Sequence, residues 1–236
     1  MSVFAILPAA GTGSRMASAI PKQFLKFNGK ELIVYSLEVF QNNPNIKSIA
    51  VAASKEYIPL VKRLQKKYSL TKLTSIVEGG KERQDSVLNA LASLPLQSKD
   101  LAAVHDAARP LLTQKILNSA IKLALLKSSA VVSVEGRDTL IRFPYKEEIE
   151  SSYKNPSDSI EYIDRKDVYY VQTPQIFNAS LLLSCVRRAS LNGMTFPDES
   201  SLMKHYGFSV HLSEGSLLNF KVTIKSDLEV IKQIIG

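Results

Sequence analysis

Cysteine is nearly absent from this chain: Cys185 is the only one in 236 residues. That excludes an internal disulfide framework and a cysteine-built metal cluster, and makes the reducing cytoplasm the expected compartment. Cys185 falls in a leucine-rich, helix-like segment and reads as packing. No apolar run has the length of a bilayer span, and the N-terminus lacks a basic region followed by a long apolar stretch, so no membrane association is expected. Basic and aromatic residues do not interleave as in an RNA-binding strand, and no helix carries a continuous basic stripe. The net charge of +8 therefore does not require nucleic acid, since polyanionic small substrates account for it equally well. The cations between Lys55 and Lys67 fit the solvated face of an amphipathic helix. Two familiar phosphate loops are missing as well. Met16 stands where a dinucleotide fingerprint needs its third glycine, and no Gly-Lys-Ser/Thr of a Walker loop is present.

What is present begins at the N-terminus. Val3 to Leu7 is an apolar run that reads as a buried first strand, and Pro8-Ala9-Ala10-Gly11-Thr12-Gly13-Ser14-Arg15-Met16 follows, then Pro21-Lys22-Gln23. Small residues and two glycines let the backbone approach a ligand with N–H groups free for phosphate oxygens. Arg15 and Lys22 add two cations. The stretch reads as a seat for a nucleoside triphosphate, although many tight strand-to-helix turns also contain Gly-x-Gly.

Strand and helix patterns then alternate. Helical spacing runs over Leu32 to Phe40, through Ile58, Val61 and Leu64, through Val87, Leu91 and Leu94, and through Ile116, Leu117, Ala120, Ile121 and Ala124 behind a Thr113 cap. Strand-like runs lie at Ser48 to Ala53, Leu73 to Val77, Leu101 to His105 and Ala130 to Val134. With 45% hydrophobic residues, the chain predicts one α/β domain over 1–236, a mostly parallel twisted sheet with helices on both faces. In such sheets ligands sit at the carboxyl ends of strands. Three motifs fall there: Ala9 to Arg15, Gly79 to Arg83 and Asp106 to Arg109.

The alternation breaks between Glu135 and Gln172, where Pro144, a charged patch and Asn155-Pro156-Ser157-Asp158 are flanked by β-type segments at Thr139 to Phe143 and Val168 to Gln172. Too little apolar content for a separate core predicts a protruding arm over 135–172. Helices are expected at Leu181 to Leu191 and Glu199 to Tyr206, and strands at Ser209 to Leu212 and Phe220 to Ile224. A Ser226-x-x-Glu229 capping box should open a last helix with Leu228, Ile231 and Ile235 inward.

Asp106 is the one strand-end carboxylate in a segment rich in small residues, and a carboxylate with substrate phosphates and waters suits Mg²⁺. Gly79, Gly80 and Ser86 suit a base pocket, which needs close backbone approach and a few placed donors.

The motifs Glu78-Gly79-Gly80-Lys81-Glu82-Arg83-Gln84-Asp85-Ser86-Val87, Val104-His105-Asp106-Ala107-Ala108-Arg109-Pro110, Arg137-Asp138-Thr139, Thr173-Pro174-Gln175 and Asn219-Phe220-Lys221-Val222-Thr223, in this order after the opening loop, resemble the 2-C-methyl-D-erythritol 4-phosphate cytidylyltransferases of the non-mevalonate isoprenoid pathway. The resemblance covers nearly the whole chain. It implies a Rossmann-like nucleotidyltransferase fold, Mg²⁺-dependent transfer from CTP to methylerythritol 4-phosphate with release of pyrophosphate, and a homodimer in which each arm completes the partner's site. It also implies roles for residues. Arg15, Lys22 and Lys221 would be catalytic. Ala9, Ala10, Gly11, Gly13, Gly79, Gly80, Ser86, Asp106 and Ala107 would hold the nucleotide, with Asp106 as metal ligand. Thr139, Arg165, Arg109 and Thr173 would hold the sugar phosphate. His105 reads as structural, because an ionised phosphate gives it no necessary proton to move. The chain departs from the family pattern at Pro197, where a threonine is usual, at Ile141, where a basic residue is usual, and in a longer arm. A ribitol 5-phosphate cytidylyltransferase and a non-catalytic CTP-binding regulator are the competing readings.

Overall fold

The computed structural model describes residues 1–11, 20–143 and 160–235. Arg15, Gly13 and the arm tip at 144–159 lie outside the described residues. In chain order the strands are β1 (Val3–Ala9), β2 (Lys26–Phe27), β3 (Lys30–Glu31), β4 (Ile46–Ala53), β5 (Leu73–Glu78), β6 (Leu101–Val104), β7 (Ser129–Glu135), β8 (Leu140–Arg142), β9 (Glu161–Ile163), β10 (Tyr169–Asn178) and β11 (Leu212–Glu214). The helices are α1 (Leu32–Gln41), α2 (Ile58–Lys67), α3 (Arg83–Ala92), α4 (Gln114–Lys127), α5 (Ala179–Leu191), α6 (Glu199–His205) and α7 (Lys225–Ile235).

A seven-stranded sheet in the order β11-β7-β10-β6-β1-β4-β5 forms the centre. Every pairing in it is parallel except those of β10, which runs antiparallel to both β6 and β7. The expected mostly parallel α/β sheet is what the chain forms. Strand β1 shows why its sequence is apolar throughout. Val3, Ala5, Leu7 and Ala9 pack with α1, α2 and α4 on one face, while Phe4 and Ile6 pack with α3, α5 and α6 on the other. Each face then gains roughly 25 cal/mol for every Å² of apolar surface removed from water. From β1 the chain builds outward through β4 and β5, then returns to the opposite side of β1 as β6. That reversal opens a crevice at the carboxyl ends of β1 and β6.

A third apolar cluster fixes the chain's end near this crevice. Phe27, Leu32, Ala108, Val222 and Ile231 are buried together, with Leu228 and Ile235 packed against them. The three inward positions expected on the last helix are those that face this cluster.

Four expectations are corrected. Residues 220–224 form no strand; Val222 donates its N–H to the Ala108 carbonyl at 2.9 Å and is the fully buried side chain of the segment, so the apolar alternation there serves one buried plug. The strand expected at Ser209 to Leu212 begins only at Leu212. Ser209 and His211 approach β7 through isolated contacts and not a ladder: Ser129 Oγ donates to the Ser209 carbonyl, Val131 N–H donates to the His211 carbonyl, and His211 Nδ1 lies 2.7 Å from Ser129 Oγ. The last helix starts before Ser226, and its cap is Asp227, whose Oδ2 accepts the N–H groups of Thr223 and Ile224. Val168 to Gln172 is not the second arm strand: Tyr169–Asn178 belongs to the central sheet, and β8 pairs instead with β9.

Candidate active site

The crevice is a cleft of about 320 Å³ whose walls come from loops that follow β1, β5 and β6 and from the segment preceding α7. Its first wall is Pro8 to Gly11. Gln23, itself buried, donates Nε2 to the carbonyls of Ala9 (2.6 Å) and Gly11 (2.9 Å). One side chain thus fixes the loop entry where no regular ladder can. Lys22, next to it, lines the cleft. Burial opposes ionisation of Asp227, yet the Ile224 and Thr223 N–H groups, the Thr223 hydroxyl and the Lys22 charge together hold that carboxyl below its usual range.

The second wall is the turn from β5 into α3. Gly79 donates its N–H to the Ala53 carbonyl at 2.8 Å. A Cβ on Gly79 would lie 2.3 Å from Ala10 Cβ, and one on Gly80 would lie 2.1 Å from Asp85 Cβ. Both glycines are therefore demanded by packing of this turn against the first wall and against its own helix. The Ser86 hydroxyl accepts from Gly80 N–H at 3.1 Å and donates to the Glu82 carbonyl at 3.3 Å. Glu82 and Asp85 close a capping box at the start of α3, whose positive end faces the cleft.

Asp106 forms the floor, nearly buried among three cations. Arg83 Nε lies 3.1 Å from Oδ1, and Lys221 Nζ (3.1 Å) and Arg109 Nε (3.4 Å) meet Oδ2. Burial alone would raise the Asp106 pKa, but the charges of Arg83, Lys221 and Arg109 hold it far below the usual carboxylate range. The group is a fixed anion.

Behind it runs a buried relay. Thr173 Oγ1 accepts from Asp106 N–H (3.1 Å) and lies 3.0 Å from His105 Nδ1, while His105 Nε2 lies 3.2 Å from the Arg109 carbonyl. A consistent assignment has the Thr173 hydroxyl donating to Nδ1 and the Nε2–H donating to the carbonyl. Burial, only partly offset by Asp106, lowers the His105 pKa to about 4, so the ring is neutral at pH 7. It shapes the Asp106–Arg109 turn.

Lys221 is held by its neighbours' backbone. Arg109 Nη1 donates to the Asn219 carbonyl (2.7 Å). Asn219 Nδ2 donates to the Thr173 carbonyl (2.9 Å) and to Gln172 Oε1 (3.1 Å), and Gln172 Nε2 donates to the Ser216 carbonyl (2.8 Å).

Of the residues singled out by sequence, Ala9, Ala10, Gly11, Lys22, Gly80, Ser86, Asp106, Ala107 and Lys221 line one cleft, and Gly79 packs directly behind it. Arg15 and Gly13 lie outside the described residues. Arg109 and Thr173 are buried beneath the floor, not on the cleft wall, with their polar atoms engaged by Asp106, Asn219 and His105. Thr139 and Arg165 are exposed on the arm, where Arg165 donates to the Arg137 carbonyl at 2.8 Å. Sequence reasoning gave no role to Gln23, Arg83, Gln172 or Glu199. Arg83 lies inside a quoted motif, but its partner Glu199 is more than a hundred positions away, and nothing local announces the pair.

Among the described residues, four cationic side chains, Lys22, Lys81, Arg83 and Lys221, line the cleft against two acidic ones, Glu82 and Asp106. That excess suits a polyanion. Among the described residues no three His, Cys, Asp or Glu side chains gather to hold a metal, so a hard cation at Asp106 would need oxygens from the polyanion itself.

Comparison with known proteins gives one consistent result. The family model for 2-C-methyl-D-erythritol 4-phosphate cytidylyltransferase matches residues 3–236. The enzyme of that name from Clostridium novyi is 36% identical over 232 residues, covering 98% of this chain and 95% of its own. The crystal structure of the Thermus thermophilus protein of the same name is 28% identical, with a TM-score of 0.76 over 100% of this chain and 99% of that one. The 4-diphosphocytidyl-2C-methyl-D-erythritol synthase of Anaerococcus prevotii, at 21% identity, shares the fold with a TM-score of 0.81 over 99% of this chain and 95% of that one.

Proposed function

Because the chain belongs to the 2-C-methyl-D-erythritol 4-phosphate cytidylyltransferase family, we infer that its cleft transfers the cytidylyl group of CTP to 2-C-methyl-D-erythritol 4-phosphate. The products are 4-diphosphocytidyl-2-C-methyl-D-erythritol and pyrophosphate. The observation that carries this reading is the meeting of Lys22, from the loop after β1, and Lys221, from the segment before α7, in one cleft floored by Asp106.

The acceptor phosphate is largely a dianion at neutral pH, its second pKa being about 6. No strong general base is needed. An acceptor phosphate oxygen forms a bond to the α-phosphorus, the bond from that phosphorus to the bridging oxygen breaks, and pyrophosphate carries away the electron pair. The barrier is repulsion between two anions, so catalysis rests on positioning and on cations aimed at the transition state. Lys22 and Arg15 serve the leaving β- and γ-phosphates. Lys221, aimed by Asp106 and by the Asn219 clamp, serves the α-phosphate. Gly80 and Ser86 bind the base, and Ala9 and Ala10 lie against the ribose.

Asp106 fits a Mg²⁺ ligand: its carboxylate lines the cleft and stays ionised, although its surrounding cations oppose a metal until triphosphate oxygens join it. When bound, Mg²⁺ would supply charge neutralisation for the phosphates. Arg109 and Thr173 act by holding Asp106 and the Lys221 loop. Exposure of Thr139 and Arg165 on the arm, outside their own chain's cleft, supports a homodimer in which the arm serves the second copy's sugar phosphate. One buried cysteine and no disulfide framework support a cytoplasmic setting.

The test is pyrophosphate release with CTP and either methylerythritol 4-phosphate or ribitol 5-phosphate, with and without chelator. Release with the first acceptor only, abolished by EDTA and restored by Mg²⁺, is expected. Release with ribitol 5-phosphate alone would overturn the acceptor assignment. CTP binding without turnover on either would overturn the enzyme.

A further inference from the structure

Arg83 is unlike the other two cations at Asp106, because it is already mated. Its Nη1 and Nη2 fork onto Glu199 Oε1 (2.7 Å) and Oε2 (3.0 Å), while Nε alone reaches Asp106 Oδ1 (3.1 Å). Glu199 is buried, with 3% of its surface exposed, and its helix start is tied to the central sheet. Asp198 caps α6 by accepting from Ser201 N–H (2.8 Å) and from Gln175 Nε2 (2.9 Å), and Gln175 Oε1 accepts from Ser200 N–H (2.8 Å). A rigid line therefore runs from β10 through α6, Glu199 and Arg83 to the cleft floor. The Gln175 link to the start of α6 is doubly anchored and the Glu199–Arg83 link is bidentate, which fixes the direction of the guanidinium as well as its distance, and Arg83 passes that direction to Asp106 through the one bond from Nε.

We propose that Glu199 is a positioning residue of the transfer reaction: acting through Arg83, it sets the plane of the Asp106 carboxylate and cancels the charge of the guanidinium that holds it. The proposal rests on the cytidylyl-transfer reading of the cleft. Two carboxylates, Asp106 and Glu199, here face three cations, Arg83, Arg109 and Lys221, leaving one positive charge at the floor. Without Glu199 two would remain, and a divalent cation would approach Asp106 against the extra charge, while a bare triphosphate would not be repelled. Stability does not demand the pair, since well-packed apolar residues commonly replace a buried ion pair at no cost. A positioning role and a stabilising role therefore separate by experiment.

The variants are Glu199→Gln and the double variant Arg83→Met/Glu199→Met. The readouts are Mg²⁺ titration of pyrophosphate release at saturating CTP, calorimetry of CTP with and without Mg²⁺, and thermal melting. In Glu199→Gln the Mg²⁺ concentration for half-maximal rate should rise on the order of tenfold, from one uncompensated charge near a divalent ion. Its kcat should fall on the order of 10²-fold, as for a misplaced catalytic group, while CTP alone binds as tightly as before or more so. The double variant should melt at or above the wild type and still lose kcat. Folded variants that keep the wild-type kcat and Mg²⁺ half-saturation would overturn the proposal, as would equal loss of CTP affinity with and without Mg²⁺, or failure of both variants to fold. If the wild type releases no pyrophosphate, the functional reading fails by itself, and the calorimetric comparison still decides the proposal. A wild type that binds neither form of CTP overturns both.

Discussion

Replacing Gly79 by alanine adds one methyl group where the first and second walls of the cleft meet. The new Cβ would stand 2.3 Å from Ala10 Cβ and 2.8 Å from Ser86 Oγ. Non-bonded carbons settle at about 3.5–4.0 Å, so the two walls must part by roughly an ångström or more. The Ser86 hydroxyl can rotate away, giving up its bond from Gly80 N–H. Ala10 has no such freedom, because Gln23 grips the carbonyls of Ala9 and Gly11 on either side of it. Overpacking of this kind costs about 1–3 kcal/mol, which for a chain of this length lowers Tm by roughly 3–10 °C. The catalytic loss should be larger in proportion, since displacement by about 1 Å can cost on the order of 10² in rate. Steady-state kinetics with CTP varied should show kcat/KM down by about that factor in a protein that still folds. Adding Ala10→Gly removes the opposing methyl, leaves the movable Ser86 hydroxyl at 2.8 Å and Ser86 Cβ at an ordinary 3.5 Å, and should restore most of both losses. A Gly79→Ala enzyme within about threefold of wild type, or a double variant that regains Tm but not kcat/KM, would refute the reasoning. A methyl at Gly11, by contrast, meets nothing within 4 Å among the described residues, so Gly11→Ala should leave Tm unchanged.

Lys22→Ala and Lys221→Ala should each lower kcat by about 10²–10³ while circular dichroism stays native; near-normal turnover in both would refute their roles. Stability should depend on pH through His105. Its pKa is lowered by burial from 6.5 to about 4, so the unfolded chain takes up a proton first as pH falls. The contribution is complete above about pH 6.5 and is lost progressively toward about pH 4, amounting to about 3 kcal/mol. Urea unfolding across that window should lose this slope in His105→Gln, and an unchanged slope would exclude the ring as its source. Asp106, with its pKa depressed, adds a loss only as pH falls below the usual carboxylate range, near pH 4.

Alternation of strand and helix, the helices at 32–41, 58–67, 83–92 and 114–127, and the placing of three motifs at strand ends were legible in the sequence because they rest on local periodicity. Thr113, accepting from Ile116 N–H, caps its helix as its residue type and place imply. The errors come where alternation was short. Phe220 to Ile224 looks like a strand, but five residues cannot state whether a neighbour is available to pair with them. Val168 to Gln172 has strand chemistry, yet only the sheet decides that it pairs with β7 and not with the arm.

By itself, then, the order of residues determined the sheet class, the candidate loops and, through motif resemblance, the family, since each depends on patterns a few residues wide. Only the tertiary structure decided which polar groups face the cleft and which support it. Arg109 and Thr173 went beneath the floor, and Gln23, Arg83 and Glu199 came into the site. The physical reason is that a buried charge must find its partner wherever folding delivers one, and here the partners come from β10, α6 and the segment before α7, far apart in the chain and adjacent only in space.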